Sequence, residues 1–364
     1  MSSSCGRPRK WSDPESSRLM PVSITNIFER PKTMNAAVPH DPFRCLLCGT
    51  AETPHLVQAE VTGDSAGGLR AVQCLACSHV QLSPPAYCLD LYDEDGQVAF
   101  VVGHYGTPIE KLFEHSAIEA RRRVARFAEH GEALQGRGGE RARLLDVGGG
   151  YGFFGAAMAA VRPDVDTLVL EPSAKRAEMG RSHFEQRSDP AFSPPTFEVG
   201  LLDDAFVEQH RASFDAVTLW HVLEHVEDPA GLLERAGALL NPNGGTLWIE
   251  VPNLDDELST LSPAYRRRNF MREHVSYFSP AVLERLARRA FTAASTEVVG
   301  YQRYGIFNYM HWIHANAPQG ASPDMFERDR WWLEANWRTV REAARTSDAL
   351  LLIVRLGGAA GAGE

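Results

Sequence analysis

From Arg143 onward the chain alternates short, mostly apolar runs with longer mixed ones. The runs Arg143–Val147, Thr167–Glu171, Thr196–Val199, Ala216–Leu219 and Thr246–Val251 are of strand length and predict strands. The segments between them, Phe153–Val161, Lys175–Phe184 and Ala230–Leu240, predict helices. Strands that alternate with helices require a mostly parallel sheet covered on both faces, an α/β fold class. Farther along, Pro280–Ala290 predicts a helix, Ser295–Val299 a strand, and Ala349–Arg355 (ALLLIVR) a buried strand.

Ahead of this pattern, Ile109, Leu112, Phe113, Ile118, Val124 and Phe127 recur at spacings near three and four, so Pro108–Leu134 reads as a helix packed on the main domain. Gly136-Arg-Gly-Gly139 breaks it. Residues 1–40, rich in Ser, Pro, Arg and Lys, show no sustained period and read as a disordered leader, with Met34 as an alternative start. The expected organisation is therefore leader 1–40, a small cysteine module 41–90, a helical linker 91–140, a strand and helix domain 141–300, an aromatic-rich extension 301–357 and a flexible tail 358–364.

The cysteine module carries Cys45-Leu-Leu-Cys48 and Cys74-Leu-Ala-Cys77, separated by 25 residues of alternating character. Two such pairs can each supply one edge of a tetrahedron, so Cys45, Cys48, Cys74 and Cys77 are expected to hold one Zn2+ in a zinc ribbon. Four thiolates leave no open position, which makes the ion structural. A module this small has little core and needs such a staple. His55 and His79 are expected at the surface or behind the ligands, and Cys5 and Cys88 are left over.

At Leu144-Leu-Asp-Val-Gly-Gly-Gly-Tyr-Gly152 a buried strand must turn sharply into a helix, and Gly148, Gly150 and Gly152 let a ligand approach the backbone. Gly150-Tyr-Gly-Phe-Phe-Gly155 also spells the dinucleotide pattern, so a nicotinamide or flavin enzyme must be weighed. Asp146 puts a carboxylate where a pyrophosphate would sit, whereas S-adenosylmethionine brings a sulfonium and an ammonium that suit it. Glu171, closing the second strand, is placed for ribose hydroxyls in either case.

Four runs in order, Asp146-Val-Gly-Gly-Gly-Tyr-Gly, Leu170-Glu-Pro-Ser, Phe214-Asp-Ala-Val-Thr-Leu-Trp-His-Val-Leu-Glu-His-Val-Glu-Asp-Pro229 and Leu240-Asn-Pro-Asn-Gly-Gly-Thr-Leu-Trp-Ile-Glu-Val-Pro-Asn253, resemble the motifs of class I S-adenosylmethionine-dependent methyltransferases. The resemblance spans about residues 43–355. Cys74 to Pro85 and Leu91-Tyr-Asp-Glu-Asp95 are similar to the ribbon and linker of a bacterial subfamily that includes sugar methyltransferases of antibiotic and surface-glycan pathways. It implies a Rossmann-like methyltransferase sheet with helices on both faces, preceded by a small zinc ribbon. It further implies that Asp146, Gly148, Gly150 and Gly152 line the methionine moiety, that Glu171 holds the ribose, that Leu202 and Asp203 border the adenine, and that Trp220 and His221 close the pocket.

In the same resemblance Glu273-His-Val-Ser-Tyr-Phe-Ser-Pro280 lies over the methyl-donor pocket. His274, with an ordinary pKa suited to base work near neutrality, is the candidate general base, Glu273 its orienting group and Tyr277 a substrate contact. The competing reading is that Ser279-Pro280 caps a helix which the nearby His and Phe merely dock. His225 reads as structural. Met271 and Gly96-Gln-Val-Ala-Phe100 depart from the aromatic pattern of carbon-methylating relatives, which puts an oxygen acceptor at least level with carbon; the expected acceptor is a small hydroxylated or carbohydrate-like molecule, in secondary-metabolite or glycan biosynthesis, and the atom methylated is not encoded in these features. Between Tyr301 and Trp337 the aromatic residues form either a substrate lid or a packed helical cap.

A formal charge of −10, with only Arg44 and Arg70 cationic between Phe43 and Pro85, argues against nucleic acid as the partner. The arginine runs 121–123 and 266–268 read as solvated helix faces. No stretch is apolar enough to cross a bilayer, and paired cysteines fit a reducing, cytoplasmic setting. Two alternatives remain open on sequence: an NAD-dependent oxidoreductase, and a non-catalytic zinc-ribbon binding protein with a relic methyltransferase domain. Oligomeric state is not encoded in any of these features.

Overall fold

The computed structural model describes residues 43–64, 67–85, 87, 109–130, 134–186, 193–318 and 324–357. The expected leader, the acids of the linker, Cys5, Cys88 and the tail lie outside them.

The principal sheet has seven strands: β4 (Ala142–Val147), β5 (Val165–Glu171), β6 (Thr196–Val199), β7 (Ala216–Trp220), β8 (Thr246–Pro252), β10 (Ser295–Tyr301) and β11 (Ala349–Arg355). Their order is β10-β11-β8-β7-β4-β5-β6. β6, β5, β4, β7 and β8 are parallel, while β11 runs antiparallel to both β8 and β10. The sequence reading thus captures the parallel core strand by strand. The final strand, assigned on sequence to an extension beginning at 301, is an interior strand of the main sheet, and this explains its unbroken apolar run.

Strand alternation splits the core into two layers. Leu247, Ile249 and Val251 of β8 join Leu350, Leu352 and Val354 of β11 on one face. Trp248, Leu351 and Ile353 point to the other, where Trp248 meets the Phe127 ring at 4.4 Å. Phe127 belongs to α1 (Ile109–Glu129), which packs on α2 (Phe153–Val161). The remaining helices are α3 (Ala174–Glu185), α4 (Asp204–His210), α5 (Pro229–Leu239), α6 (Glu257–Leu261), α7 (Pro263–Asn269), α8 (Pro280–Ala290), α9 (Ile306–Ala315) and α10 (Asp324–Ala344). Sequence periodicity passes over α4, α6 and α7, which are too short to show one, and over α9 and α10. The Ser279 hydroxyl accepts from Val282 N–H at 3.4 Å with Pro280 at the first helical position, so α8 starts with the expected cap.

The cysteine module forms a second sheet of β1 (His55–Gln58), β2 (Arg70–Gln73) and β3 (Val80–Ser83). Its fourth strand is borrowed. β9 (Ser276–Tyr277), nearly 200 residues downstream, pairs antiparallel with β3, and Leu82 N–H donates to the Val275 carbonyl at 3.0 Å. The module's small core of Val61, Ala71, Val80 and Leu82 is completed by Phe270 and Tyr277 from the main domain. Arg285 and Arg289 of α8 reach the carbonyls of Cys77 and Leu47.

Phe278 is fully buried beside the His79 ring, at the seam between module and main core. Phe278→Ala is expected to cost about 3–5 kcal/mol, read as a lower urea midpoint with an unchanged slope; a cost below about 1 kcal/mol would show that the seam is not tightly packed.

Candidate active site and cysteine cluster

The glycine turn does what its composition demands. Gly148, Gly150 and Gly152 take φ of 66°, 60° and 76°, the left-handed region that side chains disfavour. A Cβ on Gly148 would meet Val222 at 2.8 Å, and one on Gly152 would meet Phe197 at 2.6 Å. The turn borders a cavity of about 280 Å3 walled by the strand ends, the inner face of α1 and Tyr304.

Asp146 faces this cavity from the end of β4. Its Oδ1 accepts from the Thr218 hydroxyl at 2.8 Å, while Oδ2 is buried with no hydrogen-bond partner among the described residues. Burial raises its carboxyl to about 7. An orphaned carboxylate oxygen beside a cavity is a receptor for a cationic donor. Glu171 lies just behind: its Oε2 accepts from Gly150 N–H at 2.8 Å, and its Oε1 takes Ser173 N–H at 3.1 Å and the Arg176 guanidinium at 3.3 Å. The turn amide that a pyrophosphate would use is therefore already bonded to a carboxylate.

Opposite the turn is a buried ionic knot. His221, at φ 57°, places Nδ1 2.9 Å from Glu224 Oε1 and Nε2 2.7 Å from Glu250 Oε1. Glu250, with no solvent exposure, also receives Arg123 at 3.0 Å and lies 3.6 Å from Arg303. Arg303 is fixed in turn by Asp348, which accepts from its backbone N–H at 2.7 Å and from Nε at 2.6 Å. Burial alone would raise the Glu224 carboxyl, but the His221 imidazole holds it down at about 2. Burial opposes charging of His221, and the Glu250 carboxylate overcomes that and raises its pKa. His221, Arg123 and Arg303 line the cavity, with the balancing carboxylates Glu224, Glu250 and Asp348 behind them.

Of the residues singled out on sequence, Asp146, Gly148, Gly150, Trp220 and His221 come together on the cavity wall. Gly152 and Glu171 stand one layer back. Leu202 and Asp203 do not reach the wall: Leu202 is in the main core, and the Asp203 carboxylate caps α4 by accepting from Phe206 N–H at 2.9 Å. Nor do Glu273, His274 and Tyr277. Tyr277 is buried in the seam with its hydroxyl donating to the Met271 carbonyl at 3.0 Å, and the Glu273 carbonyl accepts from His225 Nδ1 at 2.7 Å. Burial, with His225 close by, depresses His274 to about 3, well below the range expected of a base working near neutrality.

Sequence reasoning missed Arg123 and Arg303. Arg123 sits in a run read as a solvated face, yet only 18% of its side chain is exposed, and it lies 5.2 Å over the Trp220 ring. The available signal was its place on the helix: Ala120, Val124 and Phe127 of α1 are buried, and Arg123 shares their side. Among the aromatic residues after 301, Tyr301 and Trp312 are core, and Tyr304 reaches the cavity.

The four cysteines converge. Cys45 and Cys77 Sγ are 3.5 Å apart, Cys48 and Cys74 Sγ 3.6 Å, and all four sulfurs lie within 4.8 Å of one another. Tetrahedral thiolates about 2.3 Å from zinc would be about 3.8 Å apart, so the set fits that ion. Gly49 and Ser78, at φ 73° and 61°, turn each knuckle. His79, expected at the surface or behind the ligands, is fully buried with Nδ1 3.9 Å from Cys45 Sγ. His55 lies on the exposed edge strand β1.

Residues 113–290 match the family model described as "Methyltransferase domain". The chain is 37% identical over 112 residues to a ubiquinone biosynthesis O-methyltransferase of Xanthomonas campestris pv. campestris, an alignment covering 31% of this chain and 44% of that protein. It is 29% identical over 156 residues to the protein of the same name from Thiobacillus denitrificans, covering 41% and 63%. The chain thus spans less than half the length of the first relative. Among solved structures, Haemonchus contortus phosphoethanolamine N-methyltransferase 2 with S-adenosyl-L-methionine superimposes with a TM-score of 0.42 at 16% identity, covering 64% of this chain and 51% of that one. Residues 113–290 are therefore a methyltransferase domain, and its glycine turn followed by a buried acid at the end of the next strand is the arrangement of the class I S-adenosylmethionine-dependent kind.

Proposed function

We propose that the protein transfers the methyl group of S-adenosylmethionine to an oxygen of a small hydroxylated acceptor. The observation that carries this is Asp146, a buried carboxylate with one partnerless oxygen at a glycine turn whose Gly150 amide is already taken by Glu171. That arrangement suits a cationic cofactor and disfavours a pyrophosphate, which argues against a nicotinamide enzyme. Bound there, the cofactor would supply an electrophilic methyl group. Asp146 would take its ammonium, Glu171 the ribose once Arg176 moves aside, and Trp220 with the inner face of α1 would exclude water from the acceptor. The relatives' name supports an oxygen acceptor in biosynthesis and lends nothing to a carbohydrate-like one. That Asp146, His221, Arg123 and Arg303 all line the cavity favours a working enzyme over a relic.

We further propose that Cys45, Cys48, Cys74 and Cys77 hold a structural Zn2+ that maintains the module and, through β3, the β9 segment. Chelating the metal is expected to raise amide exchange in Val80–Leu82 and in Val275–Tyr277 together; protection that persists in the second segment alone would refute the coupling.

Because Asp146 titrates near 7, its carboxylate must lose a proton to receive an ammonium. S-adenosylhomocysteine affinity, measured calorimetrically, should therefore strengthen as pH rises through about 7 and level off above it. Asp146→Asn should weaken binding by about 1.5–3 kcal/mol and remove the pH dependence. Binding of NAD in place of the homocysteine product would overturn the proposed activity.

A further inference from the structure

We propose that Glu224, His225 and His274 form a second metal site, distinct from the cysteine cluster, for a divalent first-row transition ion. One ligand atom from each lies within 4.8 Å of the other two. Bonds of about 2.0–2.2 Å put ligand atoms about 3–4.4 Å apart, a spacing that small side-chain rotations reach from here.

Three observations point to an ion. First, Glu224 Oε2 and His274 Nδ1 are both sequestered from solvent with no hydrogen-bond partner among the described residues, and the Glu224 side chain is 1% exposed. Two buried polar atoms without partners, on two members of one three-residue cluster, are costly unless a cation satisfies them. Second, His225 is oriented as metal-ligating imidazoles are: Nδ1–H donates to the Glu273 carbonyl at 2.7 Å, which leaves the Nε2 lone pair on the Glu224 side, 3.9 Å from Oε1. Third, Glu224 is held by its other oxygen, since Oε1 accepts from His221 Nδ1 at 2.9 Å. That bond fixes the carboxylate and leaves Oε2 for the ion.

The donor set selects the class of ion. Two imidazole nitrogens and one carboxylate suit Zn2+, Mn2+, Fe2+ or Co2+, and an all-oxygen preference disfavours Mg2+ and Ca2+. Three protein ligands leave positions open, unlike four thiolates. The His225 side chain, 25% exposed, provides the entry path. The site also gives His274 a role consistent with its sequestered nitrogen.

The test is titration of the metal-stripped full chain with Co2+, followed by absorption. The cysteine cluster reports through intense thiolate charge-transfer bands, and a histidine and carboxylate site through weaker visible bands without them. The wild type is expected to fill both in separable phases. Glu224→Gln and His274→Ala should each weaken the second phase roughly tenfold or more and keep the thiolate bands, which also show that the module is folded. Cys74→Ser should weaken the thiolate bands, which assigns them to the cysteine cluster. A wild-type titration that ends with the thiolate bands overturns the proposal without any variant. So does a second phase that survives Glu224→Gln and His274→Ala, which would place the ion elsewhere. The readout does not depend on the methyl donor, so it stands whether or not S-adenosylhomocysteine binds.

Discussion

The cysteine module cannot close on its own. Its three short strands enclose four buried apolar side chains, too few to offset the entropy of ordering them, and the deficit is met from two directions. The knuckle cysteines converge to chelating distance, and β9 arrives from the main domain carrying Tyr277, with Phe270 alongside. The consequence runs both ways. The segment 270–278, which joins α7 to α8, is pinned to the module where Ser276 and Tyr277 pair with β3. His274, one residue from the pairing that fixes Val275, owes its place to a cysteine module far away in sequence.

A second constraint is electrostatic. Glu250 is entirely buried, and an uncompensated carboxylate there would be untenable. It is compensated threefold, by Arg123 from α1, His221 after β7 and Arg303 after β10. Asp348, ahead of β11, then fixes Arg303. Three separate pieces of chain are thereby locked to one carboxylate, with a fourth behind Arg303, and the groups the three turn toward the cavity are cationic. The knot is better understood as a device for geometry than for stability, because buried ion pairs seldom repay their desolvation. It also holds His221 at a left-handed φ that the backbone alone would not choose.

How much of this was legible follows from the range of each signal. The parallel strands, α2 and α8 were readable because their apolar patterns and caps are local. The glycine turn, Asp146 and the four cysteines were readable because their chemistry is dictated by spacing. Arg123 and Arg303 were not, since an arginine in a run looks the same whether it meets water or a buried glutamate 127 residues away. Leu202 and Asp203 were carried over from a resemblance, and Asp203 proved to cap a helix. Glu273, His274 and Tyr277 were likewise transferred as a unit, whereas strand addition divides them: Tyr277 packs in the seam, Glu273 lends a carbonyl and His274 turns toward His225.

The position of β11 has a further implication for biosynthesis. β8 is synthesised about a hundred residues before the antiparallel partner that flanks it, with Pro252 opposite Ala349 and Thr246 opposite Arg355. While a ribosome is still extending the nascent polypeptide through α9 and α10, the Val251 side of β8 presents unpaired backbone groups and a bare apolar flank. Co-translational folding therefore passes through a half-built sheet. In that interval the chain is most exposed to sticking to its neighbours, and a holding chaperone would have the most to gain by engaging it.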